Sequence, residues 1–207
     1  GELNTVTRLG AGDGEADLRT ALSNATYGDR IVFEPSWAET TITNGTLTIP
    51  AGVMLDGSLK SQGGGPYHLV KGFDGTLLEY NDWVTLRNIA VAGDSANHTG
   101  DNIAPASATN KELYFETVIS EDAAGAALVE DQTYLSTYIG CDFAKSRDGL
   151  SVRGSNHSPH NFYVRCRFQE NSRAGIDVQY SLDQKKLAGC LIDGNQYGVD
   201  TERSQVG

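Results

Sequence analysis

The chain has 207 residues, 39% hydrophobic, 8% aromatic and 21% charged, which excludes a disordered tail and suits a single core-bearing domain. Asp and Glu outnumber Lys and Arg by 27 to 16, a net charge of −11. A phosphate backbone would be repelled, so nucleic acid is excluded as a partner, the pair Arg165 and Arg167 being too small a basic patch. Glycine stands at 24 residues against 5 prolines, a glycine excess without the proline or the three-residue period of collagen.

In chain order, the first predicted element is a helix over 16–26. Leu18, Ala21, Leu22 and Ala25 share one face, Asp13 is the expected N-cap, Glu15 and Asp17 occupy the first turn, and Gly28 supplies the stop. Short strands are expected over 30–34, 40–43, 46–49 and 53–55, and 61–66 (Ser-Gln-Gly-Gly-Gly-Pro) reads as a loop. Helical spacing is absent from residue 30 onward.

The C-terminal half repeats itself. Ile139-Gly140-Cys141-Asp142-Phe143, Val164-Arg165-Cys166-Arg167-Phe168 and Ala188-Gly189-Cys190-Leu191-Ile192 superpose, their cysteines 25 and 24 residues apart. Each is followed by a second element opening on Gly149, Gly175 or Gly198, and Phe115–Thr117 with Gly125 forms a fourth copy. Leu86-Arg87-Asn88 is a looser fifth, with Asn88 in the place of the cysteines. Period-two alternation within a repeat of roughly 24 residues predicts a parallel β-solenoid, its coils stacked about 4.8 Å apart. The glycines are expected at corners, turning the chain with positive φ. The domain organisation that follows is one β-helix over 1–207: residues 1–29 as an N-terminal cap with its helix, and residues 30–207 as coils whose C-terminal end is uncovered.

Several segments resemble a known group. Gly10-Ala11-Gly12-Asp13-Gly14 with Leu18-Arg19-Thr20-Ala21-Leu22, then Asp29–Glu34, Thr40-Thr41-Ile42 and Leu55-Asp56-Gly57, look like the start of right-handed parallel β-helix proteins of the pectin-lyase-like superfamily, and Val84–Ile89 is similar to their repeated coil. The resemblance implies an all-β, right-handed parallel β-helix. That superfamily includes polysaccharide lyases, glycoside hydrolases, surface adhesins and viral tailspikes. The hydrolase motifs (Asn-Thr-Asp, Asp-Asp, Gly-His-Gly, Arg-Ile-Lys) and the lyase pattern of arginines around a proline are missing. The resemblance therefore points to the adhesin or tailspike branch, on a cell or virion surface.

Candidate site residues follow from the alternation. Leu150, Ile176 and Val199 should face inward, so Ser151, Asp177 and Asp200 should stack outward. Asp177 and Asp200 would then lie about 5 Å apart, close enough to raise one pKa for glycosidic acid–base chemistry. Arg153, Gln179 and Glu202 form the next outward column, placing Arg153 as a cation beside the pair. His157 and His160, in the loop Gly154–Asn161, are candidate bases or, with Asp148, metal ligands, although their spacing fixes no third ligand. His68 and His98 read as surface residues. Tyr163, Tyr180 and Arg173 are candidates for binding sugar, whereas Trp37 and Trp83 are far apart in sequence.

Cys141, Cys166 and Cys190 carry the repeat's own spacing, so an internal ladder is expected rather than a metal site or disulfide framework. The acidic pairs Glu121-Asp122 and Glu130-Asp131 are of a kind that takes calcium, the one cofactor admitted, but flanking an apolar strand they are expected to solvate its ends. Four sequons (Asn24, Asn44, Asn97, Asn156) hint at an exported setting, and no apolar run approaches membrane-span length. The first residue is Gly1, so removal of a leader is left open. Expected partners are a polysaccharide or surface glycan, and another chain or symmetry mate on the last coil, whose open edge would otherwise invite aggregation. The functional expectation is a surface module for attachment or support; the alternative is a lyase or hydrolase acting on an acidic polysaccharide.

Overall fold

The structure, a computed structural model, describes residues 5–37, 39–58, 67–107, 110–153, 160–179 and 185–201. The chain winds into a parallel β-solenoid of about seven coils, each contributing one strand to each of three sheets. The first sheet stacks Val6–Leu9, Arg30–Phe33, Met54–Asp56, Thr85–Arg87, Tyr114–Glu116, Thr137–Ile139, Phe162–Val164 and Lys186–Ala188. The second runs from Thr40–Ile42 to Leu191–Asp193, and the third from Leu47–Ile49 through Ala126–Asp131, Asp148–Arg153 and Ala174–Val178 to Tyr197–Asp200. Every pairing is parallel and in register, so equivalent residues form columns down the rod. One inward column reads Ile31, Leu55, Leu86, Phe115, Tyr138, Tyr163, Leu187. Large apolar side chains therefore meet their counterparts one coil away, and the core is a continuous stack.

The corners are built differently from the expectation. Gly125, Gly149, Gly175 and Gly198 lack positive φ. At Gly125, Gly149 and Gly175 the coils approach too closely for a side chain, a Cβ on Gly149 standing 2.6 Å from the Gly175 carbonyl oxygen, whereas a Cβ on Gly198 would meet only Ile192 at 3.8 Å. The left-handed turns are made instead by other columns, one of them Asn88, Thr117, Gly140, Arg165 and Gly189. A non-glycine residue there costs on the order of 1 kcal/mol. The conformation keeps its N–H aimed along the rod, and Thr117 N donates to Ile139 O at 2.9 Å and Arg165 N to Ala188 O at 2.8 Å. The same register moves Asn88 out of the cysteine column, where Ile89 stands instead. Its β-branched, apolar side chain suits that buried position.

At another corner the backbone N–H groups are met by side chains. Ser146 Oγ accepts from Ala123 N at 3.0 Å, Asn171 Oδ1 from Ser146 N at 3.1 Å, and Asn195 Oδ1 from Asn171 N at 2.9 Å. This Ser/Asn ladder satisfies buried donors that no strand reaches.

The first coils are covered by helix α1 (Glu15–Asn24), which buries Leu18, Ala21 and Leu22 against them. Its N-cap is Gly14, one residue later than expected. The Asp17 carboxylate accepts from Gly14 N at 2.9 Å, while Asp13 is spent on Gly10 N at 2.7 Å. The helix ends at Asn24 with extended Ala25 as C-cap, so Gly28 turns the following loop and does not stop the helix. Residues 61–66 fall outside the described residues.

Candidate functional site

The outward column of the third sheet runs Ala104, Val129, Ser151, Asp177, Asp200, with Leu150, Ile176 and Val199 facing inward as expected. The outward residues are not solvated: Ser151, Asp177 and Asp200 are all buried, as is Asp148 in the parallel column. Long side chains from neighbouring positions lie over them. Arg173 is the shared cation, its Nη1 donating to Asp177 Oδ1 at 3.1 Å and Asp200 Oδ2 at 2.9 Å, and its Nη2 to Asp148 Oδ2 at 2.7 Å. Arg153, expected beside the aspartate pair, reaches the other way and grips Asp101 with both Nη atoms at 2.8 and 3.0 Å. It also donates to Ser151 Oγ at 3.2 Å.

Electrostatics follow from that geometry. Burial pushes the Asp177 carboxyl up, but hydrogen bonds from Arg173, Gln179 and Ser151 and the Arg173 charge outweigh it. Its pKa therefore lies below the ordinary carboxylate value, the reverse of what a general acid needs. Arg173 is held still more firmly protonated, chiefly by Asp177. Asp131 is the carboxyl here that burial raises, against the pull of Arg153. Arg173 works as a charge-assisted clamp across three coils.

The remaining candidates scatter. Tyr163 is fully buried, its ring 4.7 Å from that of Tyr138 and parallel to it, so it is a core residue and no platform for sugar. His160 is exposed at a left-handed corner. His157, Tyr180, Glu202 and the sequon residue Asn156 lie outside the described residues. His68 lies on the second-sheet strand Tyr67–Lys71 and His98 stands 4.0 Å from Asp74, both half-buried. Cys141 and Cys166 are buried in the expected ladder, Cys190 is half-buried, and all three are free thiols. Glu121 pairs with Lys145 at 3.0 Å and Asp122 accepts from Ser95. Glu130, expected to solvate a strand end, is instead completely buried, because it sits on an inward column beside Val152.

One arrangement was not legible in the sequence. Trp83 and Tyr27 are exposed by 40% and 67%, and their rings meet edge-to-face with centroids 5.9 Å apart. The contact crosses Gly52, where a Cβ would come within 2.3 Å of the Tyr27 ring. Trp83 is a left-handed corner residue, so its side chain projects away from the rod. Beside this ledge lies an open groove of about 520 Å³, lined by Arg19, Ser23, Thr46, Thr48, Pro50 and Asn81 with Leu22 and Leu47 as its apolar floor. Pro50 and Asn81 each precede a ledge residue by two positions, Gly52 and Trp83.

No family model matches the chain, and no curated protein matches it. Among solved structures it is similar to the ORF18 protein of Geobacillus virus E2, with a TM-score of 0.69 and 12% identity over 91% of this chain. The chain spans 42% of the length of that viral protein. At this identity the likeness is one of fold, and the class established is the parallel β-solenoid. Among the described residues no helix is long and apolar enough to cross a membrane.

Proposed function

We propose that the chain is a virion-surface β-helix module of the adhesin or tailspike kind, of pectin-lyase-like architecture, that attaches to glycan through the Tyr27–Trp83 ledge and its groove. The ledge carries this reading: two exposed aromatic rings held together over a glycine, beside a groove lined with hydroxyl and amide groups, suit the apolar faces and hydroxyls of a sugar. The viral likeness supports the setting. The charge cluster supports attachment over catalysis, because its carboxylates are bound to Arg173 and Asp177 is held ionised.

A glycan array with the intact protein tests it. The expected result is binding that Trp83→Ala and Tyr27→Ala each weaken about tenfold, the loss of one stacking contact worth roughly 1–1.5 kcal/mol. An empty array, or binding unchanged in both variants, overturns the ledge. Incubation with acidic polysaccharides should release neither unsaturated products nor reducing ends; release abolished by Asp177→Ala would restore the enzyme reading. The same reading has a further chain stacked on the last coil, where the inward residues Leu187 and Val199 are 42% and 46% exposed. Sedimentation showing a stable monomer at all concentrations would refute that part.

A further inference from the structure

The buried Glu130 gathers an unusual set of partners. Lys185 Nζ is ion-paired to its Oε2, and Tyr163 Oη and Asn161 Nδ2 donate to its Oε1, the latter at 3.0 Å. Glu130, Asn161 and Tyr163 are wholly buried and the Lys185 side chain is 2% exposed. Asn161 and Lys185 occupy the same column on adjacent coils: Phe162 pairs with Lys186, and Lys186 N donates to Asn161 O at 2.9 Å. An amine and a carboxamide thus start one coil apart and end on the two oxygens of a single carboxylate. The carboxamide is polarised as well, since its Oδ1 accepts from Ser136 N at 2.9 Å and its Nδ2 also donates to Thr133 O at 3.0 Å. The stacked rings of Tyr138 and Tyr163 flank the group, and Lys185 Nζ lies 5.9 Å from the centre of the Tyr163 ring.

We infer that Lys185 and Asn161 are the substrates of an intramolecular isopeptide bond, with Glu130 as the proton carrier. Glu130 Oε2, ion-paired to Nζ, takes one proton from it and leaves a free amine. The free amine attacks Asn161 Cγ, forming the Nζ–Cγ bond, and the charge that develops on Oδ1 faces the Ser136 N–H. A second Nζ proton passes to Nδ2, the Cγ–Nδ2 bond breaks with its electron pair, and ammonia leaves. The proton on Glu130 departs with it as ammonium, so the carboxylate is restored and no oxidant or cofactor is consumed. The product clamps the last described coil to the one before it, where among the described residues burial is least complete.

Intact-mass spectrometry of the folded chain tests the inference. The expected mass is lower than that of the sequence by one ammonia, with tryptic cleavage blocked at Lys185 and a branched peptide joining the segments that hold Asn161 and Lys185. Lys185→Arg, which keeps the charge beside Glu130, should restore the full mass, and Glu130→Gln should do the same. Should Glu130→Gln fail to fold, Lys185→Arg decides alone. An unmodified mass in the folded wild type overturns the inference. So does an ammonia loss that survives Lys185→Arg, which would mark a succinimide such as Asn44-Gly45 can form.

Discussion

The two ends of the rod are held by different forces. At the N-terminal end α1 lies over the first coils, and Leu47, which opens the inward column of the third sheet, is 1% exposed. At the C-terminal end the same column closes on Val199, 46% exposed, with nothing above it among the described residues. What holds the last coils is polar: Arg173 across Asp148, Asp177 and Asp200, the Asn171–Asn195 ladder, and the buried Glu130–Lys185 pair. A coil stacked on one face only, as this one is among the described residues, gains about half the burial of an internal one, and charge-assisted bonds make up part of the difference.

Removing the shared cation should show this most strongly. Arg173→Met leaves Asp177 and Asp200 without their shared cation, Asp148 keeping Arg147 Nε at 3.0 Å, and is expected to cost roughly 3–5 kcal/mol in denaturant unfolding. Hydrogen-exchange protection should fall over 174–178 and 197–200 before it falls near α1. Loss spread evenly along the rod would contradict the separation of the two ends.

At the capped end the corresponding change is Leu18→Ala, which opens a cavity beneath the helix and is expected to cost about 3 kcal/mol, without the local loosening at 197–200. A cost below about 1 kcal/mol would mean that α1 is an appendage and not a cap.

Acid should weaken both ends, for the same reason of sign. Asp177 has a depressed carboxyl in the folded state, so its contribution is complete above the unfolded value of about 3.9 and is lost as pH falls through the lower folded one. For Glu15 burial raises the carboxyl, but the backbone N–H groups of Thr43 and Asn44, Arg19 and the Thr43 hydroxyl together bring it down to about 2. Its contribution should therefore fade from the unfolded value of about 4.3 down towards that pH. Thermal unfolding between pH 5 and pH 2, both roughly set by those values, should show a falling Tm that Glu15→Gln and Asp177→Asn each flatten in part. A Tm independent of pH there would remove both contributions.

The smallest effect is expected at Val199. Val199→Ala should change stability by no more than about 0.5 kcal/mol, because the side chain is already half in water. A cost of 2 kcal/mol or so would show that a second chain buries it in solution.

The sequence by itself determined the period, and with it the fold. The cysteine spacing, the alternation within each copy and the acidic, proline-poor composition together leave room for little besides a stacked parallel coil. Even the inward column of Leu150, Ile176 and Val199 was legible, because strand alternation decides it locally. Which outward residues meet water was decided only in the tertiary structure. Asp177 and Asp200 face outward yet are covered by Arg173, a residue whose reach across coils no alternation encodes. The corner glycines behave alike: periodicity located Gly149, but only the stacked neighbour at 2.6 Å shows that it is there for close approach and not for a left-handed turn. Tyr27 with Trp83, and Glu130 with Asn161 and Lys185, lie dozens of residues apart, or one to two coils, and become neighbours only when the coils fall into register. A solenoid turns sequence periodicity into fold at once, whereas chemistry between its coils depends on side chains long enough to cross the stack.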